Sequence, residues 1–478
     1  MDQSGGSIEK PPRCTSLGVD MATDSDAFVF FGATGDLAFR QVFPALQALI
    51  RRGHFNGTIV GVARSAGSLD ALRERARASL EAHGGVDAQA FAKLSERLRY
   101  VNGDYQDPLT YQRLRQALSD SKRPLYYLAI PPELFPTVAN GLAVSSCNQS
   151  ARVVVEKPFG RDLASAQALN KTLHHCFPES DIFRIDHYLG KEPVQNLLFF
   201  RFANSFVEPI WNRHYIQRMQ ITMAEVIGIE GRGRFYEEVG AIRDVVQNHL
   251  LEIAALLTME PPVDRQPDAL RDAKHRAFDA MRPLSPSEVV RGQYRGYRQE
   301  KDVAPNSTVE TFAALRLQLD MPRWSGVPIY IRAGKRLPVT STEIRVDLRQ
   351  SPHAVFDNSP HEPNFVRFRV SPDVIVSFGA RIKAPGEAMV GENIELLARD
   401  STVDDMTPYE RLLGDAWRGD AMLFVREDEV ESAWRVVEPV LDNVVPIHEY
   451  EPGTWGPAEA DKLIAGDGGW RNPEAPHA

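Results

Sequence analysis

The chain has 478 residues, of which 43% are hydrophobic and 25% are charged, an ordinary composition for a globular protein with a sizeable core. Its formal net charge is -9, which argues against binding to nucleic acid or to an anionic membrane surface, because both usually require a broad basic face. An anionic ligand must therefore be held by a local cluster of basic residues.

The three cysteines are too few for a disulfide framework and predict a reducing, cytoplasmic setting. The richest apolar run, residues 250–259, is too short to span a membrane. Residues 1–24 are polar and lack the apolar middle of a signal peptide, so we expect a poorly ordered leader. We expect the residues after Trp470 to be poorly ordered as well.

The first part of the chain alternates strand-like and helix-like segments. The unbroken apolar run Ala27–Phe31 predicts a buried strand, and a glycine-containing turn and a helix over 37–53 follow it. Further strands are predicted at 58–62, near Tyr100, at 125–130 and at 152–155, with helices between them, one of which ends near residue 98. This alternation predicts a doubly wound parallel sheet, so we assign residues 25–200 to a Rossmann-like α/β domain that binds a nucleotide.

The pattern changes after residue 200. Strand-like stretches follow one another without intervening helices at 218–224, 311–318, 329–333, 343–348, 364–370 and 374–380. Helices are predicted at 239–257 and 409–414. Residues 201–478 are therefore predicted to form a larger α+β domain with a mostly antiparallel sheet.

The turn after the first strand is a candidate cofactor site. It consists of Gly32, Ala33, Thr34, Gly35, Asp36, Leu37 and Ala38. Glycine lets the backbone turn sharply and approach a pyrophosphate, and the helix that follows presents unpaired N–H groups to that anion. The spacing differs from G-x-G-x-x-G, so an ordinary strand-to-helix turn explains this stretch about equally well.

The end of the second strand indicates whether the cofactor is NADP or NAD. It carries Arg64 and no acidic residue, and arginine suits the 2′-phosphate of NADP where an acid would suit the ribose hydroxyls of NAD. A solvated surface arginine explains Arg64 alone equally well, but together with the glycine turn the pattern favours NADP. Asp104 and Tyr105 follow the third strand. They either border the cofactor crevice or belong to a plain turn.

Two segments contain candidate catalytic and phosphate-binding residues. Segment 156–160 (EKPFG) ends a predicted strand, so Lys157 can contact both cofactor and substrate, and the proline after it makes a cis bond possible. Segment 184–192 (RIDHYLGKE) combines a cationic histidine or lysine with a tyrosine hydroxyl, which can hold a phosphate monoester. Its polar members are Asp186, His187, Tyr188 and Lys191. A surface turn with solvated charges is the alternative.

Asp244 and His249 share one predicted helix. Their separation corresponds to roughly 140° around an α-helix axis, so both can border one cleft from adjacent faces. A single helical histidine is more often structural than catalytic. Oxidation of an alcohol nevertheless needs a base that takes the hydroxyl proton as hydride leaves, and histidine suits this role near neutral pH when a carboxylate orients it.

Together these segments resemble the glucose-6-phosphate dehydrogenase family. RIDHYLGKE is highly specific to that family, and FGATGDLA, EKPFGRD, RFAN, EGRG, RDVVQNHL and YEPGTWGPAEAD occur in its order and spacing between about residues 25 and 460. The resemblance implies oxidation of D-glucose 6-phosphate to 6-phosphoglucono-1,5-lactone with hydride transfer to NADP, the first step of the oxidative pentose phosphate pathway. It also implies no metal, and a homodimer or homotetramer formed through the second domain, which binds the substrate.

The resemblance also implies a role for each candidate residue. His249 corresponds to the general base, Asp186 to the carboxylate that orients it, and Lys157 to a lysine that contacts both substrate and cofactor. The phosphate contacts correspond to His187, Tyr188 and Lys191, and the contacts to sugar hydroxyls to Glu225, Asp244 and Lys335. The NADP contacts correspond to Gly32, Ala33, Thr34, Gly35, Asp36, Leu37, Ala38, Arg64, Asp104, Tyr105 and Lys157.

Three positions depart from the family pattern. Gln41 and Thr340 stand where basic residues are common, and Phe135 lacks the hydroxyl of a tyrosine found in some members. One cation fewer at Gln41 would weaken binding of the cofactor phosphate or relax the preference for NADP over NAD. Arg336 is a candidate to replace the cation missing at Thr340.

Two rival functions remain open at this level. A dehydrogenase of the glucose–fructose oxidoreductase class would share the nucleotide-binding domain and the EKP stretch, but would act on an unphosphorylated sugar and would not need RIDHYLGK. A non-catalytic NADPH-binding regulator would be expected to lack the base or its partner, whereas His249, Asp186 and Lys157 are all present.

Overall fold

The computed structural model describes residues 24–64, 67–351, 363–399 and 406–475. The leader predicted at 1–24 therefore lies outside the described residues, apart from its last residue. Within the described ranges, no helix has the length and apolar character that crossing a membrane requires.

Six parallel strands form the first sheet, in the order β3-β2-β1-β4-β5-β6. They are β1 (Ala27–Phe31), β2 (Thr58–Ala63), β3 (Leu98–Asn102), β4 (Pro124–Leu128), β5 (Arg152–Glu156) and β6 (Ile182–Ile185). The strand order reverses between β1 and β4, which makes the crevice outside their carboxyl ends the expected dinucleotide site. The predicted Rossmann-like sheet is confirmed.

Helices connect these strands, and two of them replace one predicted helix. The connections contain a π-helical turn (Ala38–Val42), α1 (Phe43–Arg51), α2 (Leu69–Ala82), α3 (Ala88–Arg97), α4 (Pro108–Leu118), α5 (Phe135–Val144) and α6 (Leu163–Cys176). The single helix predicted up to residue 98 is wrong. Gly84 and Gly85 adopt positive φ angles of 103° and 94° and end α2, and Asp87 then caps α3 by accepting from Ala90 N–H.

The second sheet has nine strands in the order β14-β13-β12-β11-β7-β10-β9-β8-β15. They are β7 (Ile216–Ala224), β8 (Val289–Tyr294), β9 (Phe312–Leu317), β10 (Ile329–Gly334), β11 (Ser341–Leu348), β12 (Phe365–Ser371), β13 (Ile375–Lys383), β14 (Gly391–Arg399) and β15 (Ile447–Tyr450). The pairs β7–β10 and β8–β15 are parallel and the other pairs are antiparallel, so the mostly antiparallel sheet is confirmed. The sequence pattern predicted neither β8, β14 and β15 of this sheet nor β6 of the first sheet.

The later helices are α7 (Glu192–Ala203), α8 (Gly233–Ala241), a π-helical segment (Ile242–Leu250), α9 (Leu251–Thr258), α10 (Pro267–Ala280), α11 (Pro408–Arg418), α12 (Glu427–Val437) and α13 (Glu459–Ile464). All of them except α11 pack with the second sheet, and most of them enclose the largest core among the described residues. α11 packs instead against α1, where Leu412 and Trp417 join the core of the first domain. Every residue of α9 is buried, so the π-helical segment that leads into it is anchored in the core. Gly240, at φ 60° and ψ -179°, breaks the helix in front of that segment, within the helix predicted at 239–257.

The chain after Trp470 is ordered at least through its first residues, contrary to the sequence expectation. The guanidinium of Arg332 lies over the rings of Trp455 and Trp470, at 4.5 and 4.6 Å from their centroids. Its Nη2 donates to the side-chain oxygen of Asn472 at 2.6 Å. These cation–π and hydrogen-bonding contacts fasten the tail to the sheet.

Candidate active site

The structure places the predicted site residues where strands of both sheets end. Lys157 directly follows β5 and Asp186 directly follows β6. Glu225 and Lys335 directly follow β7 and β10, which pair in parallel with Ala224 opposite Gly334. The two side chains are therefore neighbours, and the Lys335 ammonium donates a hydrogen bond to the Glu225 carboxylate.

His249 contacts both predicted partners. Its Nδ1 lies 2.5 Å from Asp186 Oδ1, which also accepts from the backbone N–H of Tyr188 at 2.9 Å. On the other side of the ring, Nε2 lies 3.0 Å from Lys157 Nζ. A carboxylate only accepts and an ammonium only donates, so the proton is on Nδ1 and the lone pair is on Nε2. This is the tautomer that a general base needs.

Electrostatics keep this pair in its reactive protonation state. Burial lowers the pKa of His249 below its ordinary value, although the Asp186 carboxylate partly opposes this effect. Burial alone would raise the pKa of Asp186, but His249 holds that pKa well below its usual range. At neutral pH the pair is therefore a neutral imidazole beside an ionised carboxylate.

The π-helical segment aligns Asp244 with His249. In an α-helix, as the sequence predicted, these residues would lie on adjacent faces. A π-helix closes its hydrogen bonds from i to i+5, so residues with this separation lie one above the other. Lys157 bridges the two, because its Nζ also donates to the backbone oxygen of Asp244 at 2.7 Å and lies 3.7 Å from its carboxylate. The Lys157–Pro158 bond is cis.

The predicted phosphate-binding residues pack around the base. The Tyr188 ring stacks on His249 with 4.3 Å between centroids, and Lys191 Nζ lies 3.6 Å from the centroid of the same tyrosine. His187 meets His249 edge to face at 4.6 Å. Burial and the neighbouring His249 lower the pKa of His187 to about 3, so His187 is uncharged at neutral pH. Lys191 is therefore the cation of this group.

The glycine turn fits a dinucleotide. Gly32 has φ 81°, and a Cβ atom there would lie 2.1 Å from the backbone oxygen of Ala129, so only glycine lets the turn pass the end of β4. Helical residues begin at Asp36, and no side chain caps the π-helical turn that follows. The N–H groups of a first helical turn have no intrahelical partners, so this helix start suits a pyrophosphate at the switch between β1 and β4.

Tyr105 braces this turn from the end of β3. Its hydroxyl accepts from Gly32 N–H at 2.9 Å and donates to the backbone oxygen of Val62 at 3.3 Å. Its own backbone oxygen accepts from the Tyr111 hydroxyl at 2.7 Å. Tyr105 thus holds the glycine turn against the end of β2, and contact with a cofactor there stays a prediction.

Arg64 and Asp104 form a loose surface pair beside the turn. Arg64 Nη1 lies 3.5 Å from Asp104 Oδ2, and the two side chains are 65% and 49% exposed. Such a pair contributes at most about 1 kcal/mol. A ligand phosphate can therefore replace Asp104 as the partner of the Arg64 guanidinium at little cost in free energy.

Two further residues at the site, Glu156 and Tyr409, had no role predicted from the sequence. Glu156 lies buried just before Lys157, accepts from the Tyr127 hydroxyl at 2.6 Å and also bonds Tyr409. Burial raises the pKa of Glu156 to about 7. The Tyr409 ring stacks toward His187 with 6.5 Å between centroids. Glu156 belongs to a recognised motif, whereas no sequence signal connects Tyr409, on α11, with the site.

The base and two of its neighbours have the side-chain types and the spacing of metal ligands. The ligand atoms of Asp186, His187 and His249 lie within 4.8 Å of one another. Both nitrogens of His249 are already engaged, and the Lys157 ammonium lies where a cation at Nε2 would bind. A metal would have to displace that ammonium, and the absence of a metal from the site stays a prediction.

A dinucleotide crevice beside a carboxylate-backed histidine base defines a nicotinamide-dependent dehydrogenase that oxidises an alcohol. Sequence models described as the glucose-6-phosphate dehydrogenase NAD binding domain and C-terminal domain match residues 29–196 and 198–471. The chain belongs to the glucose-6-phosphate dehydrogenase family and is an oxidoreductase.

Individual relatives agree with this assignment. Glucose-6-phosphate 1-dehydrogenase 1 of Mycobacterium tuberculosis is 45% identical over 95% of this chain and 97% of the relative. A crystal structure of glucose-6-phosphate 1-dehydrogenase from Mycobacterium avium superposes with a TM-score of 0.89 at 45% identity, covering 95% of this chain and 100% of that one. A glucose-6-phosphate dehydrogenase solved in complex with glucose-6-phosphate superposes with a TM-score of 0.87 at 35% identity, with the same coverage.

Proposed function

We propose that this protein oxidises the anomeric carbon of D-glucose 6-phosphate to 6-phosphoglucono-1,5-lactone and passes the hydride to NADP, as the first step of the oxidative pentose phosphate pathway. The observation that carries this proposal is the contact of His249 with Asp186 on one nitrogen and Lys157 on the other, beside the dinucleotide crevice. This arrangement supplies a neutral imidazole base whose Nε2 lone pair faces a hydrogen-bond donor.

The chemistry follows from these contacts. A bound nicotinamide cofactor supplies the hydride acceptor. His249 Nε2 takes the proton of the C1 hydroxyl while C1 loses hydride, so the C1–O bond becomes the lactone carbonyl. Asp186 stabilises the imidazolium that results. Lys157, which contacts Nε2 here, gives up that contact to the substrate hydroxyl and stays anchored to Asp244.

The remaining site residues position the sugar phosphate. Lys191, with Tyr188 and neutral His187, binds the phosphate dianion close to the base. The Glu225–Lys335 pair offers an acceptor and a donor to the sugar hydroxyls, and Asp244 offers a second acceptor. A phosphate-binding group packed against the base favours a phosphorylated substrate over the free sugar.

We propose that Arg64 selects NADP over NAD. Arg64 lies at the end of β2, beside the crevice, and is available to pair with a 2′-phosphate. We propose that Gly32, Ala33, Thr34, Gly35, Asp36, Leu37, Ala38, Asp104, Tyr105 and Lys157 form the rest of the NADP site. The helix start after the glycine turn and the hydrogen bonds by which Tyr105 holds that turn support this assignment.

A spectrophotometric assay of reduced nicotinamide tests the proposed function. Purified protein is incubated with glucose 6-phosphate or free glucose, each with NADP or NAD. Reduction of NADP that depends on the phosphorylated sugar supports the proposal. Equal activity on free glucose would assign the protein to the rival dehydrogenase class, and cofactor binding without turnover of any sugar phosphate would favour the regulator.

Replacement of Lys191 by alanine tests the phosphate assignment. We expect the KM for glucose 6-phosphate to rise about 10- to 100-fold, because a charge-assisted hydrogen bond contributes about 1.5–3 kcal/mol. We expect kcat to change little. Lys462→Ala is a matched control, since that lysine is 76% exposed on α13. An unchanged KM in Lys191→Ala would rule out the phosphate role.

We propose that residues 25–200 bind the cofactor and that residues 201–478 bind the substrate and assemble a homodimer or homotetramer through the second sheet. β14 is the last strand in that sheet, and its Leu396 lines a groove together with Phe199 and Phe206; the three side chains are 58%, 75% and 56% exposed. A contiguous exposed apolar surface of this kind is typical of an interface. Sedimentation equilibrium should give a mass of two or four chains, and a monomer at micromolar concentration would contradict this.

We propose a cytoplasmic location. The described cysteines, Cys147 and Cys176, are both buried and free, as a reducing compartment would keep them. Fractionation of the producing cells tests this location. Recovery of the protein outside the cytoplasmic fraction would contradict the proposal.

A further inference from the structure

Arg75 brings a second cation to the glycine turn. It lies on α2, the helix that follows β2, and its Nη2 donates to the backbone oxygen of Gly35 at 3.0 Å. Its guanidinium also lies 5.0 Å from the centroid of the Phe39 ring, which holds its plane against the first helical residues. The side chain is thus positioned at the turn by two independent contacts.

The charge of Arg75 is not neutralised by the described part of the chain. No carboxylate there lies within ion-pair distance of it, and its Nε is buried without a hydrogen-bond partner. Arg73, on the same helix, differs because it pairs with Asp70 at 3.0 Å and donates to the backbone oxygen of Ser95. A guanidinium has five N–H donors, and the only hydrogen bond that Arg75 makes within the described residues comes from Nη2, so its charge and its Nη1 donors suit an anion.

The position of α2 indicates which anion this is. β2 pairs with β1 on the side opposite β4, and the adenosine half of a dinucleotide lies toward the end of the second strand. Arg75 therefore lies on the same half of the crevice as Arg64. We propose that Arg75 binds the adenosine 2′-phosphate of NADP together with Arg64, and this inference rests on the NADP use proposed above. It supplies the charge that Gln41 does not.

Binding measurements with two Arg75 variants test this inference. Arg75→Gln keeps a hydrogen-bond donor for Gly35 and removes the charge, and Arg75→Met keeps the apolar stem against Phe39. Arg77→Met is the matched control, because Arg77 lies on the same helix but over the Phe91 ring, at 4.6 Å. The dissociation constants of NADPH and NADH are measured by nicotinamide fluorescence without substrate, and folding is checked by thermal unfolding.

We expect both Arg75 variants to weaken NADPH binding about 10-fold or more and to change NADH binding less than twofold. Arg64→Ala should likewise weaken NADPH binding much more than NADH binding. Arg77→Met should change neither dissociation constant. Equal weakening of NADPH and NADH would overturn the inference, since Arg75 would then only support the turn. A wild-type preference for NADPH that is unchanged in size in both variants would overturn the inference alone. A wild-type protein that binds NADH as tightly as NADPH would overturn the NADP proposal and the inference together.

Discussion

Replacement of His249 by asparagine should lower kcat by about two to four orders of magnitude, the usual contribution of a general base. The KM for glucose 6-phosphate should change little, because proton transfer from the C1 hydroxyl occurs only in the transition state. Asparagine can still bond the Asp186 carboxylate, which accepts from Nδ1 in the native protein. Steady-state kinetics with saturating cofactor measure both constants.

The control for this change is His214→Asn, because His214 is exposed. We expect that variant to turn over like the native protein. Turnover within a few-fold of normal in His249→Asn itself would refute the assignment of His249 as the base. In that case Lys157, which lies 3.0 Å from His249 Nε2, would be the next group to test.

Replacement of Asp186 by asparagine should have an effect of similar size. The amide can donate to Nδ1, which would move the proton of His249 to Nε2 and leave no lone pair facing the substrate. A change of this kind in a buried carboxylate–histidine pair lowers kcat about 10⁴-fold. Asp186 and His249 are each 2% exposed, so solvent cannot replace the lost carboxylate.

The pH profile separates this role from a merely structural one. The base works unprotonated, so kcat/KM falls as the pH drops through the pKa of His249. Burial holds that pKa below its ordinary value of about 6.5, so the acid limb of the native enzyme should lie below this pH. Asp186 raises the pKa of His249, and in Asp186→Asn the limb should move to still lower pH. An unmoved limb with a lower melting temperature would mean that Asp186 only stabilises the fold.

Local sequence was sufficient for most of the nucleotide-binding sheet. β1 coincides with the predicted Ala27–Phe31. A short, unbroken apolar run that ends at a glycine turn is buried most simply as a strand inside a sheet. The two-glycine stop at Gly84 and Gly85 was also readable as a helix end, and overlooking it merged α2 with α3. Such signals act within a few residues and do not depend on the rest of the fold.

The second sheet was harder to predict because its strands are specified by their partners. β14 contains several charged residues and lies at the sheet edge, so it has no buried-strand pattern. The parallel pairing of β7 with β10 joins segments far apart in sequence, and no local pattern indicates it. That pairing alone makes Glu225 and Lys335 neighbours.

By itself, the sequence determined the chemical groups of this enzyme: the glycine turn, the histidine base, its carboxylate and the lysines, all in recognisable segments. Only the tertiary structure decided how they act. It aligned Asp244 with His249 through a π-helical segment, placed the lone pair on Nε2, kept His187 uncharged and brought Arg75 to Gly35. Protonation, tautomer and charge partners depend on burial and on distances between remote segments, and packing of the whole chain sets both.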